Sequence, residues 1–231
     1  MRISLILRRA GAGFLVPLAG FALGACKNIL DVEFPGRIPA EQIDSPTLAA
    51  VLARSVVGDL ECAYNNYFTA SAVHSDEFET SNSNVPGANW GERSISADED
   101  DYAVAPCEGT FLGLGLQVPM HTARFQSEDI YTRLNGWTDA QVPNRRSLMA
   151  TVRAYGAYAY LFLGETYCEV AFDGGAAQPR SASLAIAEQR FTDAISLAAG
   201  NNDLLNLARV GMARTKMDLK KWSEAATFAA Q

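Results

Sequence analysis

"RAYGAYAYLFLGETYCEVAFDGG", residues 153–175, decides the fold. Taken with the residues before it, the stretch places Leu148, Val152, Tyr155, Ala159, Phe162 and Leu163 at intervals of three and four. Those intervals put all six on one face of a helix. Phe172-Asp173-Gly174-Gly175 then turns the chain. The same periodicity recurs on either side. Ser45 and Pro46 start a helix whose apolar positions run from Leu48 through Leu52, Val56 and Leu60 to about Tyr67, with a continuation or restart from Phe68 to Phe78. Residues 120–136 read as a second helix, and Asn144 is placed to cap the next. Further helices are expected from about Ser183 to Ala199, stopping at Gly200, and from Asn202 or Asp203 to Leu219. The last begins near Trp222 and is expected to be still running at Gln231.

Small residues recur inside these helices at fixed places. Ala157, Tyr160 and Gly164 give a small residue, an aromatic three later and a glycine seven later. Ala187, Phe191 and Ala194 give alanine, an aromatic at the fourth place and alanine at the seventh. Ala213, Trp222, Ala225 and Ala229 repeat the pattern in part, with Lys216 where an aromatic is usual. Small residues let two helices approach, and the aromatic fills the gap above. The expected fold class is therefore all-α, built of tetratricopeptide-like helix pairs. A helical bundle with alanine-rich seams is the plainer reading of the same residues.

Residues 79–119 break the pattern. Asn82, Asn84, Pro86, Gly87, Asn89 and Gly91 are followed by the acidic run Asp98-Glu99-Asp100-Asp101, then Pro106 and Gly109. No helical period survives, so a long irregular insertion is expected, the kind of segment that often holds ligands on a rigid scaffold.

At the other end, "FALGACKN" (residues 21–28) closes an uncharged run that follows Arg2, Arg8 and Arg9. A positive start, a short apolar stretch and small residues describe a secretory signal peptide. The stretch is too short to span a bilayer, which takes about 20 residues. Leu23-Gly24-Ala25-Cys26 resembles the lipobox of bacterial lipoproteins. That resemblance implies lipidation of Cys26, cleavage before it, and anchoring by more than one acyl chain; a plain signal peptide with a chance cysteine is the alternative. Lys27 rather than Asp after the cysteine favours the outer membrane by the same resemblance. Residues 26–43, with Pro35, Gly36 and Pro39, read as a tether, and residues 44–231 as the folded domain.

Without residues 1–25, which hold three arginines and no acid, the net charge of −7 becomes −10. Nucleic-acid phosphates would repel such a chain, which excludes that class of partner. In an oxidising compartment one disulfide is expected, Cys62 with Cys107, because both lie in the less regular N-terminal half. Cys168 ends a strongly helical run and reads as a buried thiol.

The order of features resembles one family, the SusD/RagB-like outer-membrane nutrient-binding lipoproteins. The matching residues are "LGAC" at 23–26, "LDVEFPG" at 30–36, "SDEF" at 75–78, the 153–175 stretch and the helical run from Phe191 to Ala230. The resemblance implies a SusD-like domain, incomplete at its C-terminal end, that binds nutrient oligomers, glycans foremost. Its partner would be a TonB-dependent, SusC-like outer-membrane barrel. It implies binding and delivery rather than cleavage, no cofactor, and residence on the outer membrane by the lipid anchor, facing the cell surface. The rival class is a tetratricopeptide-type scaffold lipoprotein for outer-membrane assembly, with no small ligand.

Trp90 stands in the polar insertion beside Asn89, Glu92 and Arg93. Sugar rings stack on aromatic faces while amides, carboxylates and guanidinium groups take the hydroxyls. Trp90, Asn89 and Arg93 are thus candidate ligand contacts, with Asn82 and Tyr102 behind them; a Trp that pins the loop to the helices is the bland reading. His74 with Asp76 and Glu77 lacks a third metal ligand at any useful spacing. The Asp98–Asp101 run lacks the alternation and glycine of a calcium loop. Catalytic and metal-binding residues are therefore assigned none.

Overall fold

A computed structural model describes residues 43–81, 85–95 and 115–231. The chain divides into two units, Met1–Ile43 and Asp44–Gln231. The first lies almost wholly outside the described residues. Among the described residues the second is all-α apart from one small hairpin.

A 3-10 turn, Pro46–Leu48, leads into α1, Ala49–His74. α2 spans Val85–Glu92, α3 Gln117–Gly136 and α4 Arg145–Thr166. Strands β1 (Glu169–Val170) and β2 (Gln178–Pro179) pair antiparallel, Glu169 opposite Pro179 and Val170 opposite Gln178. α5 is Arg180–Leu197, α6 Asn202–Asp218 and α7 Trp222–Ala229. From α3 onward each helix packs on the next, and α4 also packs against α1 and α6. That makes α4 the centre of the domain. Ala150, Val152, Ala154, Ala157, Ala159, Leu161 and Leu163 are fully buried along it. Its sequence is apolar nearly all round, as a helix surrounded by others must be.

Close approach explains the small residues. A Cβ on Gly156 would lie 2.2 Å from Ser127 Oγ on α3. One on Gly164 would lie 2.8 Å from the Leu184 side chain on α5, and one on Gly211 2.2 Å from the Phe191 ring. Ala187, Phe191 and Ala194 are fully buried on α5. The third set behaves differently. Ala213 and Ala225 are buried, but Trp222 is 63% exposed and Ala229 lies at the surface.

Charged residues tie the helices together where they meet. Glu128 on α3 accepts hydrogen bonds from Arg153 on α4 and Arg190 on α5, each at 2.7 Å. Burial opposes ionisation of Glu128, but the two guanidinium groups outweigh it and lower its pKa. Lys216 on α6 bridges Glu188 on α5 and Glu224 on α7.

Several element boundaries differ from the sequence reading. α1 continues past Phe68 as one helix, as one of the two alternatives expected, but ends at His74 rather than Phe78. Ser45 precedes only the 3-10 turn and makes no side-chain cap. Asn144 does sit before α4, but in a left-handed conformation (φ 59°) without a side-chain cap. α5 begins at Arg180, directly after β2, rather than near Ser183. α6 is capped by Asn201, whose side chain accepts from Leu204 N–H. α7 ends at Ala229. The insertion over 79–119 is not wholly irregular, because α2 forms within it and α3 begins at Gln117. Cys168 is exposed and free, not buried. It lies in the turn between α4 and β1, past the last helical residue. Cys62 takes part in a disulfide; Cys107, its expected partner, lies outside the described residues, as does Cys26. Among the described residues no helix is long and apolar enough to cross a membrane.

Candidate functional site

α1 ends by wrapping its last carbonyl groups. Ser75 N–H donates to Ser71 O, and both Glu77 and Phe78 N–H donate to Ala72 O, at 2.9 and 3.0 Å. Asp76 takes a left-handed backbone (φ 63°) to allow this, a conformation Asp tolerates better than most residues. The chain then returns as α2, which packs on α1. Arg93, just past α2, is also left-handed (φ 57°), and Ser94 N–H closes on Asn89 O. The Arg93 guanidinium reaches Asp76 at 2.7 Å, so the two strained helix ends are bridged. Both side chains are largely exposed, and such a pair contributes only about 0–1 kcal/mol.

Between α1 and α2 lies a cleft of about 440 Å³. Val73 and Phe78 give it apolar surface, and Asp76, Glu79, Thr80 and Glu92 give it polar edges. The size falls in the range of about 300–1,000 Å³ that small-ligand sites occupy. Its three carboxylates accept hydrogen bonds, which suits a ligand rich in hydroxyl donors.

Of the expected contacts, Arg93 stands at this cleft through its bond to Asp76. Trp90 is half-buried rather than exposed. Its ring meets His74 edge-on at 6.1 Å, and its carbonyl lies 3.3 Å from His74 Nδ1. Trp90 therefore fastens α2 to α1, because only one face of so short a helix can pack and the indole lies on it. Asn89 is also half-buried on α2. Neither Trp90 nor Asn89 is among the cleft-lining residues. Asn82 and Tyr102 lie outside the described residues, as does the Asp98–Asp101 run. Among the described residues no group of three or more His, Cys, Asp or Glu side chains is arranged to hold a metal ion.

A second hollow was not anticipated. It is an open groove of about 390 Å³ where α1, α4 and α6 meet. Tyr64 from α1, Tyr155, Tyr158 and Phe162 from α4, and Val210 from α6 line it, with Glu61 and Arg214 at the rim. Tyr64 and Phe162 rings are 5.3 Å apart and Tyr158 and Phe162 5.7 Å. Arg214 lies 5.4 Å over the Phe162 ring and is gripped by Glu165 at 2.6 and 2.7 Å. Tyr67 O–H donates to the same carboxylate at 2.6 Å. Burial, then the Glu61 carboxylate, raises the Tyr155 pKa. Burial pushes Tyr158 up to about 12. Both phenols stay neutral donors at physiological pH. Sequence periodicity assigns these aromatics to the core, since it cannot distinguish a covered ring from one at an open seam. The available signal was the excess of rings, with Tyr64, Tyr67 and Phe68 widening the apolar stripe of one helix.

Comparison with protein-family models, with curated proteins and with solved structures found no match to this chain. The reading of function therefore rests on the residues and their geometry.

Proposed function

We propose that this protein is a lipid-anchored outer-membrane protein that binds nutrient oligomers, glycans foremost, and delivers them to a TonB-dependent, SusC-like barrel. The observation that carries this reading is the cleft between α1 and α2. α2, within the segment that breaks the helical pattern, packs back on α1, and the two helices enclose a hollow of ligand size edged by three carboxylates and Thr80. The lipobox-like sequence ending at Cys26 supplies the anchor, and the all-α domain supplies the rigid scaffold. Binding requires no chemical step: hydroxyl groups donate to Asp76, Glu79 and Glu92, and the apolar face of a sugar ring rests on Val73 and Phe78. The acidic edge disfavours polyanionic glycans.

The test is an array of neutral and charged glycans probed with the full chain carrying Cys26→Ser to keep it soluble. The reading expects neutral oligosaccharides to bind, and Glu92→Ala to weaken them about tenfold, the loss of one charge-assisted hydrogen bond. Absence of binding to every glycan would contradict it, and unchanged affinity in Glu92→Ala would remove the cleft as the site.

A further inference from the structure

The groove where α1, α4 and α6 meet holds a carboxylate without a counter-ion. Glu61 on α1 lines it and is exposed. None of the ion pairs among the described residues includes Glu61. Its neighbours one helical turn away, Val57, Gly58, Tyr64 and Asn65, carry no positive charge. Arg214 is the one cation among the lining residues, and Glu165 already holds it at 2.6 and 2.7 Å. Its guanidinium lies 5.4 Å over Phe162, whose ring is 3% exposed and so closed to a ligand. The rings left open beside Glu61 are Tyr64, 44% exposed, and Tyr155, half-buried. Among the described residues no arginine or lysine lies over either of them. The Glu61 carboxylate stands close enough to Tyr155 to raise its pKa, after burial, so the two belong to one site.

We propose that this side of the groove binds a methylated ammonium group, with Glu61 as its counter-ion and the rings of Tyr64 and Tyr155 as its apolar walls. The site is separate from the cleft between α1 and α2, its ligand is of a different chemical class, and it does not depend on the glycan reading. Aromatic faces carry partial negative charge and attract cations. The groove already uses that attraction once, with Arg214 over Phe162. The Arg214 and Glu165 charges cancel, so Glu61 leaves the site negative, and the chain's net charge of −7 adds a long-range pull on cations. The kind of cation follows from the shortage of acceptors. An unsubstituted ammonium has three donors to satisfy. Glu61 is the one free carboxylate here, and the Tyr158 O–H is turned away to donate to Leu207 O at 2.9 Å. A methylated ammonium has no such need, because its charge is spread over methyl groups that pack directly on rings. The hollow of about 390 Å³ has room for such a group and a short apolar body.

The experiment follows the methyl proton signal of choline by NMR as the full-length Cys26→Ser protein is added. Tetramethylammonium is the second probe, and 3,3-dimethylbutan-1-ol, the uncharged isostere of choline, is the control. Both cations are expected to bind, and the alcohol at least about tenfold more weakly. Glu61→Gln should weaken choline binding about fivefold, and Tyr64→Leu likewise. Tyr64→Phe keeps the ring and should leave the affinity within about twofold. Circular dichroism verifies that each variant remains helical. A second arm sediments the protein with phosphatidylcholine vesicles, with phosphatidylglycerol vesicles as the control. Retention on phosphatidylcholine would assign the ammonium group to a lipid headgroup, and choline binding without retention would assign it to a free solute. Equal binding of choline and its uncharged isostere would reduce the site to an apolar hollow and overturn the proposal. Unchanged choline affinity in Glu61→Gln would overturn it as well. If neither cation nor phosphatidylcholine bound, the proposal would fall and the glycan reading of the cleft would be untouched.

Discussion

A methyl group at Gly211 has nowhere to go. It would sit 2.2 Å from Phe191 Cζ and 2.9 Å from Tyr158 Cζ, where α6 crosses α5 and α4. Gly211→Ala is expected to lower stability by about 1–3 kcal/mol, the usual penalty of overpacking. Gly58 is the control. It faces open space on α1, with nothing within 4 Å of a Cβ. Gly58→Ala should stabilise by about 0.5–1 kcal/mol through helix propensity alone. Urea denaturation of the two variants measures both. Asp218 offers a pH test at the same scale. Burial, and then the neighbouring Glu165, raise its pKa from 3.8 to about 6. Its folded pKa is the higher one, so its favourable contribution is complete below pH 3.8 and is lost as pH rises through about 6. Asp218→Asn should therefore stabilise the fold at neutral pH by on the order of 1 kcal/mol, given its partial exposure, and raise the melting temperature accordingly. The advantage should vanish in melts below pH 3.8. A constant advantage at all pH values would show that the carboxylate is not strained by its site. Glu128 has the opposite sign. Its folded pKa lies below the usual 4.5, so the pairing with Arg153 and Arg190 stabilises at neutral pH and weakens only as the solution is acidified below that value.

At the scale of elements, the β1–β2 hairpin is fastened to α3 chiefly through Arg124, with the His121 ring also against Phe172 at 6.0 Å. Arg124, 6% exposed, chelates Asp173 through both terminal nitrogens at 2.8 and 3.2 Å and lies over the Phe172 ring at 5.3 Å. The pairing lowers the Asp173 pKa from its ordinary value. Asp173→Ala should cost about 1.5–3 kcal/mol, the range for hydrogen bonds to a charged group. Amide hydrogen exchange should speed up in residues 169–179 and stay unchanged in α4. Uniform acceleration across the domain would mean that the hairpin is not a separate unit. The long helices were legible from spacing, because Leu148 to Leu163 and Ala187 to Ala194 face neighbours that a period of 3.6 specifies. α2 was not. Pro86, Gly87 and Gly91 are loop residues by composition, and what folds Val85–Glu92 is its docking on α1 through Trp90 and His74, a tertiary contact. The hairpin was invisible for a similar reason, since two-residue strands carry no period.

Across the whole molecule, the cleft draws its lining from both sides of the boundary the sequence marked: Val73, Asp76 and Phe78 precede residue 79, and Glu79, Thr80, Ala88, Gly91 and Glu92 follow it. Trp90 was expected to face the ligand, and the fold spends it on holding α2. The residues that face the hollows are Asp76, Glu79 and Glu92 in one and Tyr64 and Tyr155 in the other. Acidic residues in a polar segment read as solvated, and aromatics in a helical stripe read as core, so neither class stands out before the helices are assembled. The largest claim concerns the partner. A C-terminally tagged full-length protein, recovered with its lipid anchor from detergent-solubilised outer membranes of its native host, tests that claim most directly. Near-stoichiometric recovery of a large TonB-dependent barrel is expected. Recovery of assembly factors without such a barrel, or of the protein from the inner membrane alone, would contradict it and leave a helical scaffold in its place.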